Sequence, residues 1–312
     1  MWCKRPLLRV FVITLALLAL AGARAAGGVD LTPEFLNAYR SDCAFGAAQV
    51  DVLRRHKVLL VPGYLGNLQP TYFAEQLRWL AAIGVDREKV AIRSGHSVAV
   101  NAPIVAAAIR DSARPVVLIT HSKGSVDALE ALRAEPSLRK KVKGWVSLQG
   151  AFFGSPVADI LLDGSMLDPA VAAAILGFFG GTMESARDLT TGASRGYYRD
   201  HAAAIGAVVR EVPAIAFATA LDGAPGARIK TLLDIPRELM WREGIRSDGL
   251  VPTEAAVLPG MNFVKLAGVD HIAPVMPALE PFDRVRMTKA LLLALRTPFR
   301  GLPRDVGCRD PR

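Results

Sequence analysis

Ser122 stands in a short sequence pattern that suits nucleophilic catalysis. An apolar run at residues 116–119 leads into residues 120–124, which read THSKG, and apolar residues at helical spacing follow: Val126, Leu129 and Leu132. This pattern predicts a strand, a sharp turn with Ser122 at its apex, and a helix. Such a turn needs small residues two positions either side of the serine; Gly124 meets this requirement, while Thr120 replaces the usual glycine. The alternative role for Ser122 is that of a helix N-cap.

A serine hydroxyl needs a general base, and the base needs a partner that orients it. His271 is the candidate base because it follows a predicted strand at residues 262–266, late in the chain. The other four histidines are less suitable because they precede a strand or helix, lie in an insertion or adjoin the nucleophile: His56, His96, His201 and His121. The alternative is that His271 is an ordinary surface histidine.

Three aspartates are candidates for the residue that orients His271. Asp270 adjoins the base, and neighbouring loop residues usually point in different directions. Asp222 directly follows a predicted strand at residues 212–219, whereas Asp248 lies in a turn in which the next residue is glycine, as in a tight turn that fixes a side chain. The residues alone leave Asp248 and Asp222 open.

Acyl transfer also needs amide donors for the developing oxyanion. The residue after the nucleophile, Lys123, is one candidate through its backbone N–H. The second candidate is the backbone N–H of Tyr64, because Gly63 beside it permits a close approach after the predicted strand at residues 57–61. We expect the side chain of Lys123 to be solvated and to take no part in the chemistry.

The elements that must position these residues alternate between strands and helices. Strands are predicted at residues 57–61, 90–92, 116–119, 145–148, 212–219 and 262–266, and helices at 72–83, 99–109, 199–210 and 283–295. This alternation predicts an α/β fold with a parallel sheet covered on both faces, in a single domain at residues 27–312. It breaks after Gly154, where residues 166–183 form an apolar helical pattern that suits either core or a cap over the site.

The first 26 residues resemble a secretory signal peptide. Basic residues precede an uncharged stretch at residues 10–23, and an A-x-A pattern follows at residues 23–25. The stretch is shorter than the roughly 20 residues of a membrane span. We therefore expect cleavage near Ala26 or Gly27 and a secreted or periplasmic protein, with an uncleaved anchor as the alternative.

The composition argues against a disordered protein and against a nucleic-acid-binding protein. With 312 residues and a hydrophobic content of 51%, the chain is not mainly disordered. Its net charge of +9 becomes +5 without the four basic residues of the first 26, and no basic stretch interleaved with aromatic residues suggests nucleic-acid binding. Cys43 and Cys308 remain in the mature chain, either as a disulfide or as two free thiols.

Taken in order, five motifs resemble those of the α/β-hydrolases, and more narrowly of bacterial secreted lipases and esterases. They are VPGYLG at 61–66, HSKG at 121–124, GAFFGSPVAD at 150–159, DGLV at 248–251 and DH at 270–271. The resemblance implies an α/β-hydrolase fold with a helical cap or lid insertion at about 160–208. It also implies a serine ester hydrolase that acts through an acyl-enzyme, with the chain order Ser, Asp, His. It favours Asp248 over Asp222 as the acid.

Departures from the family pattern concern the substrate and the metal. Pro62 replaces the histidine of the family's His-Gly pair. Ala273 stands where calcium-dependent relatives have aspartate, so no metal site and no cofactor are expected. The resemblance implies a lipid or other small apolar ester as substrate, with transient contact at a lipid interface. The same triad also suits a polyester depolymerase, a thioesterase or an acyltransferase, and the fold suits a non-catalytic envelope binding protein.

Overall fold

The computed structural model describes residues 27–41, 45–64, 66, 68–163, 182–221, 223, 231, 233–295 and 297–299. Several predictions lie outside these residues: the signal peptide at 1–26, all but the last two residues of the apolar helix at 166–183, the cysteines Cys43 and Cys308, and the alternative acid Asp222. Among the described residues, no helix combines the length and apolar character that a membrane crossing requires.

The described residues contain a six-stranded sheet whose neighbouring strands are all parallel. The strand order is β2-β1-β3-β4-β5-β6. This arrangement confirms the predicted α/β class and the parallel sheet. The strands are β1 (Lys57–Val61), β2 (Asp86–Lys89), β3 (Val116–His121), β4 (Val142–Leu148), β5 (Ala214–Ala220) and β6 (Asn262–Ala267).

Helices connect the strands and cover both faces of the sheet. In chain order they are α1 (Thr32–Arg40), α2 (Ala47–Arg54), α3 (Ala74–Ala82), α4 (Val98–Asp111), α5 (Lys123–Ala134), α6 (Pro156–Asp163), α7 (Met183–Asp188), α8 (Thr191–Glu211), α9 (Asp234–Arg242) and α10 (Arg284–Leu295). Short 3-10 turns lie at Pro136–Lys140 and Thr253–Ala256.

Alternate side chains of the strands other than β2 enter two separate cores. Leu118 of β3 packs into the core formed with α4, α5 and α8, whereas Ile119 packs into the core formed with α1, α3 and α10. Successive side chains of a strand point to opposite faces, so a strand covered on both faces is mainly apolar along its length. This coverage explains the continuous apolar runs of β1 and β3, whose positions the sequence predicts correctly.

Two elements differ from their predictions for identifiable reasons. The strand predicted at 90–92 is β2 at Asp86–Lys89, an edge strand of polar residues that pairs only with β1 and therefore lacks an apolar signature. The helix predicted at 199–210 is the second half of α8, whose first turns contain Gly192 and Gly196, residues of low helix propensity. Although α8 overlaps the predicted cap insertion, Ile205 and Val208 bury it against the sheet.

Candidate active site

Ser122 lies at the apex of a strand–turn–helix, as its sequence pattern predicts. It separates the end of β3 from the start of α5 and adopts φ 52° and ψ −128°, a conformation that is strained for a residue with a side chain. A Cβ added at Gly124 would lie 2.4 Å from the carbonyl oxygen of Pro62, so the helix start and the end of β1 touch backbone to backbone. Ser122 occupies the N-cap position of α5, but its side chain makes no capping bond and instead lies close to His271.

Thr120 occupies the position two residues before Ser122, where a small residue is usual, and its hydroxyl makes buried hydrogen bonds. Its Oγ1 lies 2.8 Å from the Oγ of Ser125 and accepts a bond from Trp145 Nε1 at 2.9 Å. Ser147 Oγ donates to the same Ser125 oxygen at 2.9 Å. The threonine thus links β3 to β4 and α5 beneath the turn, which accounts for its presence where glycine is usual.

The structure brings Ser122, His271 and Asp248 into one hydrogen-bonded line. His271 Nε2 lies 3.0 Å from Ser122 Oγ, and His271 Nδ1 lies 2.8 Å from Asp248 Oδ2. Because a carboxylate only accepts hydrogen bonds, Nδ1 carries the imidazole proton and Nε2 is left to accept the hydroxyl proton. All three side chains are buried, and Ser122 retains 8% of its accessible surface.

Backbone contacts hold the Asp248 turn in place. Asp248 Oδ1 accepts bonds from the N–H groups of Leu250 and Val251 at 2.9 and 2.8 Å, which leaves Oδ2 for His271. The backbone N–H of His271 also donates to the carbonyl of Asp248 at 2.9 Å. Gly249 has φ 105°, the conformation that glycine permits in a tight turn.

Asp270, the candidate acid beside the base, bonds elsewhere. Its Oδ1 accepts from the N–H groups of Ile272 and Ala273 at 2.8 and 2.6 Å. This carboxylate therefore closes its own loop instead of contacting the imidazole of His271. Asp222 lies outside the described residues, so its position relative to His271 is not described.

The loop after β1 passes directly over the nucleophile. A Cβ added at Gly63 would lie 2.8 Å from the Cβ of Ser122, a distance that only glycine permits. The next residue, Tyr64, donates its phenol hydroxyl to the carbonyl of Thr182 at 3.1 Å. Lys123 is the first residue of α5, so its N–H is one of those that a helix leaves without an internal partner, at the positive end of the helix dipole.

The side chain of Lys123 is not solvated, contrary to expectation. It is only 1% exposed, and its Nζ donates to Asp127 Oδ1 at 2.7 Å within α5, where Asp127 is fully buried. Burial raises the pKa of Asp127 to about 7 despite the adjacent ammonium group. Burial also raises the pKa of the nearby Asp188. Lysine and aspartate at i,i+4 are typical of solvated helix faces, so the spacing carries no signal of burial.

Sequence reasoning missed several residues that lie beneath the triad. Tyr72 and Gln149 both lie within hydrogen-bond distance of His121, the buried residue that precedes the nucleophile. Gln149 follows β4 with φ 48°, an uncommon value for a residue other than glycine. Tyr72 and Gln149 belong to loops after different strands, and nothing in their local patterns marks them as contacts of His121.

The described parts of the chain also contain a cavity away from Ser122. A cavity of about 770 Å³ lies between α8, the turn at Thr253–Ala256 and β6, and its lining contains none of the three residues of the Ser122 line. Within the described ranges, no group of three or more histidine, cysteine, aspartate or glutamate residues could hold a metal ion.

Comparison with known proteins identifies the fold. No protein-family model and no curated protein matches the sequence. Among solved structures, a metagenomic carboxyl esterase has 22% identity and a TM-score of 0.61 over 78% of this chain and 76% of its own. A mature lipase of Bacillus licheniformis has 17% identity and a TM-score of 0.60 over 79% of this chain and 92% of its own. The sheet and these neighbours show that the chain has the α/β-hydrolase fold.

Proposed function

We propose that this protein is a serine carboxylic ester hydrolase that acts on lipid or other apolar esters through an acyl-enzyme. The observation that carries the proposal is the line of hydrogen bonds from Ser122 through His271 to Asp248, placed at a strained strand-to-helix turn. The names of the structural neighbours, a carboxyl esterase and a lipase, support an ester as the substrate class.

The first half-reaction forms the acyl-enzyme. Ser122 Oγ attacks the ester carbonyl carbon while His271 Nε2 takes the hydroxyl proton, and the carbonyl oxygen becomes an oxyanion. The tetrahedral intermediate then collapses: the bond to the alcohol oxygen breaks, and His271 returns the proton to that oxygen. Asp248 stabilises the imidazolium and holds its Nδ1–H in the required direction.

The second half-reaction repeats these steps with water. His271 takes a proton from water, the resulting hydroxide adds to the acyl carbon, and the bond to Ser122 Oγ breaks as the proton returns to the serine. The products are a carboxylic acid and the free enzyme. The substrate ester and one water are thus the only reactants, and no redox step is involved.

Backbone amides of Lys123 and Tyr64 are our candidates for stabilising the oxyanion. The proposal is supported by the unsatisfied N–H position of Lys123 at the start of α5 and by the close passage of Gly63 over Ser122. Donors fixed by the fold need no reorganisation as charge develops, and each contributes roughly 3 kcal/mol to the transition state.

The direct test is hydrolysis of p-nitrophenyl esters of increasing acyl chain length. We expect turnover by the wild-type protein and a loss of about 10⁴-fold or more in Ser122→Ala. Ser41→Ala, which removes a hydroxyl bonded only to its own helix end, is the control. Long-chain preference supports a lipase and short-chain preference an esterase. Absence of turnover on every ester contradicts the proposal and favours a binding protein with this fold.

We further propose that the protein is exported, with cleavage after the first 26 residues, and that Cys43 and Cys308 then form a disulfide. The proposal is supported by the sequence pattern of a signal peptide and by an even pair of cysteines in an exported chain. Mass spectrometry of the protein from the cell envelope, with and without reduction, measures both the new N-terminus and the bond. An unprocessed N-terminus or two free thiols contradicts the corresponding part.

A further inference from the structure

A chain of buried hydrogen bonds crosses the carboxyl edge of the sheet beneath the triad. It begins in the loop after β1, where the N–H of Gly63 donates to the phenol oxygen of Tyr72 at 3.0 Å. That oxygen lies 2.5 Å from His121 Nδ1. On the other side of the ring, His121 Nε2 lies 3.0 Å from Gln149 Oε1 and 3.0 Å from the backbone carbonyl of His271.

Gln149 extends this chain to the far side of the sheet. Its Nε2 donates to Thr219 Oγ1 on β5 and to the carbonyl of Asp270, at 2.5 and 2.9 Å. Since both partners accept there, the amide oxygen of Gln149 is the atom that faces His121. The left-handed backbone of Gln149 and its fully buried side chain show that the fold constrains this orientation.

The partners determine where every proton in the chain must lie. Both neighbours of His121 Nε2 are carbonyl oxygens, which only accept, so the ring proton lies on Nε2. In the neutral ring Nδ1 is then an acceptor, and Tyr72 donates its proton to Nδ1 while its oxygen receives the N–H of Gly63. A protonated ring would place an additional N–H, on Nδ1, against the Tyr72 hydroxyl, so the hydroxyl could no longer donate to the ring. Burial, together with the neighbouring His271, lowers the pKa of His121 well below its usual value.

We propose that His121, held as the neutral Nε2–H tautomer, is a positioning residue that keeps the oxyanion loop and the general base aligned with the nucleophile. One arm reaches Gly63, the neighbour of the candidate oxyanion donor Tyr64. The other arm reaches the carbonyl of His271 itself, and the peptide bond joins His121 to Ser122. This inference rests on the proposed function of Ser122 and His271, and it assigns His121 no contact with substrate.

Side-chain variants separate the two arms. His121→Gln retains a donor near the Nε2 position and loses the acceptor for Tyr72, whereas His121→Asn retains an acceptor near Nδ1 and loses the arm to His271. Tyr72→Phe cuts the first arm from its other end. Because small displacements of reacting groups lower rates by up to about 100-fold, we expect each variant to lower kcat by about 10- to 100-fold with little change in KM.

Non-additivity is the decisive outcome. The double variant Tyr72→Phe with His121→Gln removes the same bond twice, so we expect a kcat no lower than that of Tyr72→Phe alone, whereas Tyr72→Phe with His121→Asn cuts both arms and multiplies the losses. Tyr197→Phe is the matched control, because its phenol bonds to Glu130 on α5 and takes no part in the chain. We expect the control to retain wild-type kcat.

The tautomer of His121 gives a readout that does not depend on turnover. Nitrogen-15 NMR of the imidazole should show a hydrogen-bearing Nε2 and a bare Nδ1 throughout about pH 5 to 8, where an ordinary histidine titrates. An active wild-type protein whose variants keep kcat within about twofold, or a proton found on Nδ1, overturns the inference alone. Absence of wild-type turnover overturns the proposed function, and the NMR signal still tests the proton assignment.

Discussion

Two histidine side chains lie next to each other at the site, and their neighbours give them different roles. The rings of His121 and His271 have centroids 4.7 Å apart. His271 Nδ1 faces the carboxylate of Asp248, so Nδ1 carries the ring proton and Nε2 faces Ser122 as an acceptor. His121 Nδ1 faces the phenol of Tyr72, and burial disfavours its charged form. The atoms around each ring, and not the residue type, distinguish the proposed general base from the proposed positioning residue.

The same reasoning predicts different outcomes for two aspartates beside the base. Asp248→Asn can no longer stabilise the imidazolium, so we expect kcat on a p-nitrophenyl ester to fall by about 10³- to 10⁴-fold. Asp270→Asn keeps an oxygen that can accept from Ile272 and Ala273, and its kcat should stay within about threefold of wild type. Tolerance of Asp248→Asn together with loss in Asp222→Asn would reassign the acid.

Two substitutions at Thr120 separate the contribution of its buried hydroxyl to stability from that of its side-chain volume. Thr120→Val keeps the shape but leaves the indole N–H of Trp145 without its acceptor, and we expect about 1–3 kcal/mol lower stability. Thr120→Ser keeps the hydroxyl and loses one methyl group, for about 1 kcal/mol. Urea unfolding followed by tryptophan fluorescence measures both. A serine variant less stable than the valine variant would show that packing, and not hydrogen bonding, explains this position.

At the level of elements, the close contact of α5 with the end of β1 depends on Gly124. In Gly124→Ala the new methyl group meets backbone oxygens of Pro62 and Val61, at 2.4 and 2.6 Å before relaxation. We expect the helix or the β1 loop to shift, lowering stability by roughly 1–3 kcal/mol and lowering kcat. Gly192→Ala is the control: nothing lies within 4 Å of its added Cβ in α8. The stability of Gly192→Ala should equal or exceed that of wild type. Equal losses of stability in the two variants would contradict the importance of the contact at Gly124.

The buried carboxyl of Asp127, which lies beside Lys123 in α5, makes stability depend on pH. Burial raises the pKa of Asp127 from 3.8 to about 7, so between these values the folded protein keeps a proton that the unfolded chain has lost. Its contribution to stability is therefore lost as pH rises from about 4 to 7, by up to roughly 4 kcal/mol. Asp127→Asn removes this titration. As pH rises from about 4 to 7, we expect Asp127→Asn to become more stable relative to wild type, as measured by urea unfolding. Parallel curves of stability against pH for the two proteins would contradict this expectation.

Individual elements show what their sequences could and could not predict. The apolar runs of β1 and β3 identify those strands because burial on both faces favours apolar residues along the strand. Strand β2 is polar and lies at the edge, so it has no apolar pattern, and the sequence predicts the strand at residues 90–92 instead of Asp86–Lys89. The sequence predicts helix α5 but not the burial of Lys123, because that burial arises in the assembled fold, where even Asp188 from a distant segment lies close enough to interact with its charge.

At the scale of the whole molecule, the parallel sheet explains how distant residues meet. Ser122 and His271 are 149 positions apart, yet each follows a strand that ends at the same edge. The order of the motifs along the sequence is therefore enough to select Ser122 and His271 as candidate site residues. It does not predict the chain through Tyr72, His121 and Gln149, since those bonds join loops whose relative positions arise only from the assembled sheet.

The most direct test of the central claim is the site of covalent labelling by a fluorophosphonate probe. We expect one adduct in the folded protein, mapped by peptide mass spectrometry to Ser122, with labelling lost on unfolding in urea and strongly slowed in His271→Ala. This result requires a serine that is activated by its folded surroundings. No adduct in the folded protein, or an adduct on a different serine, would contradict the assignment of Ser122 as the nucleophile.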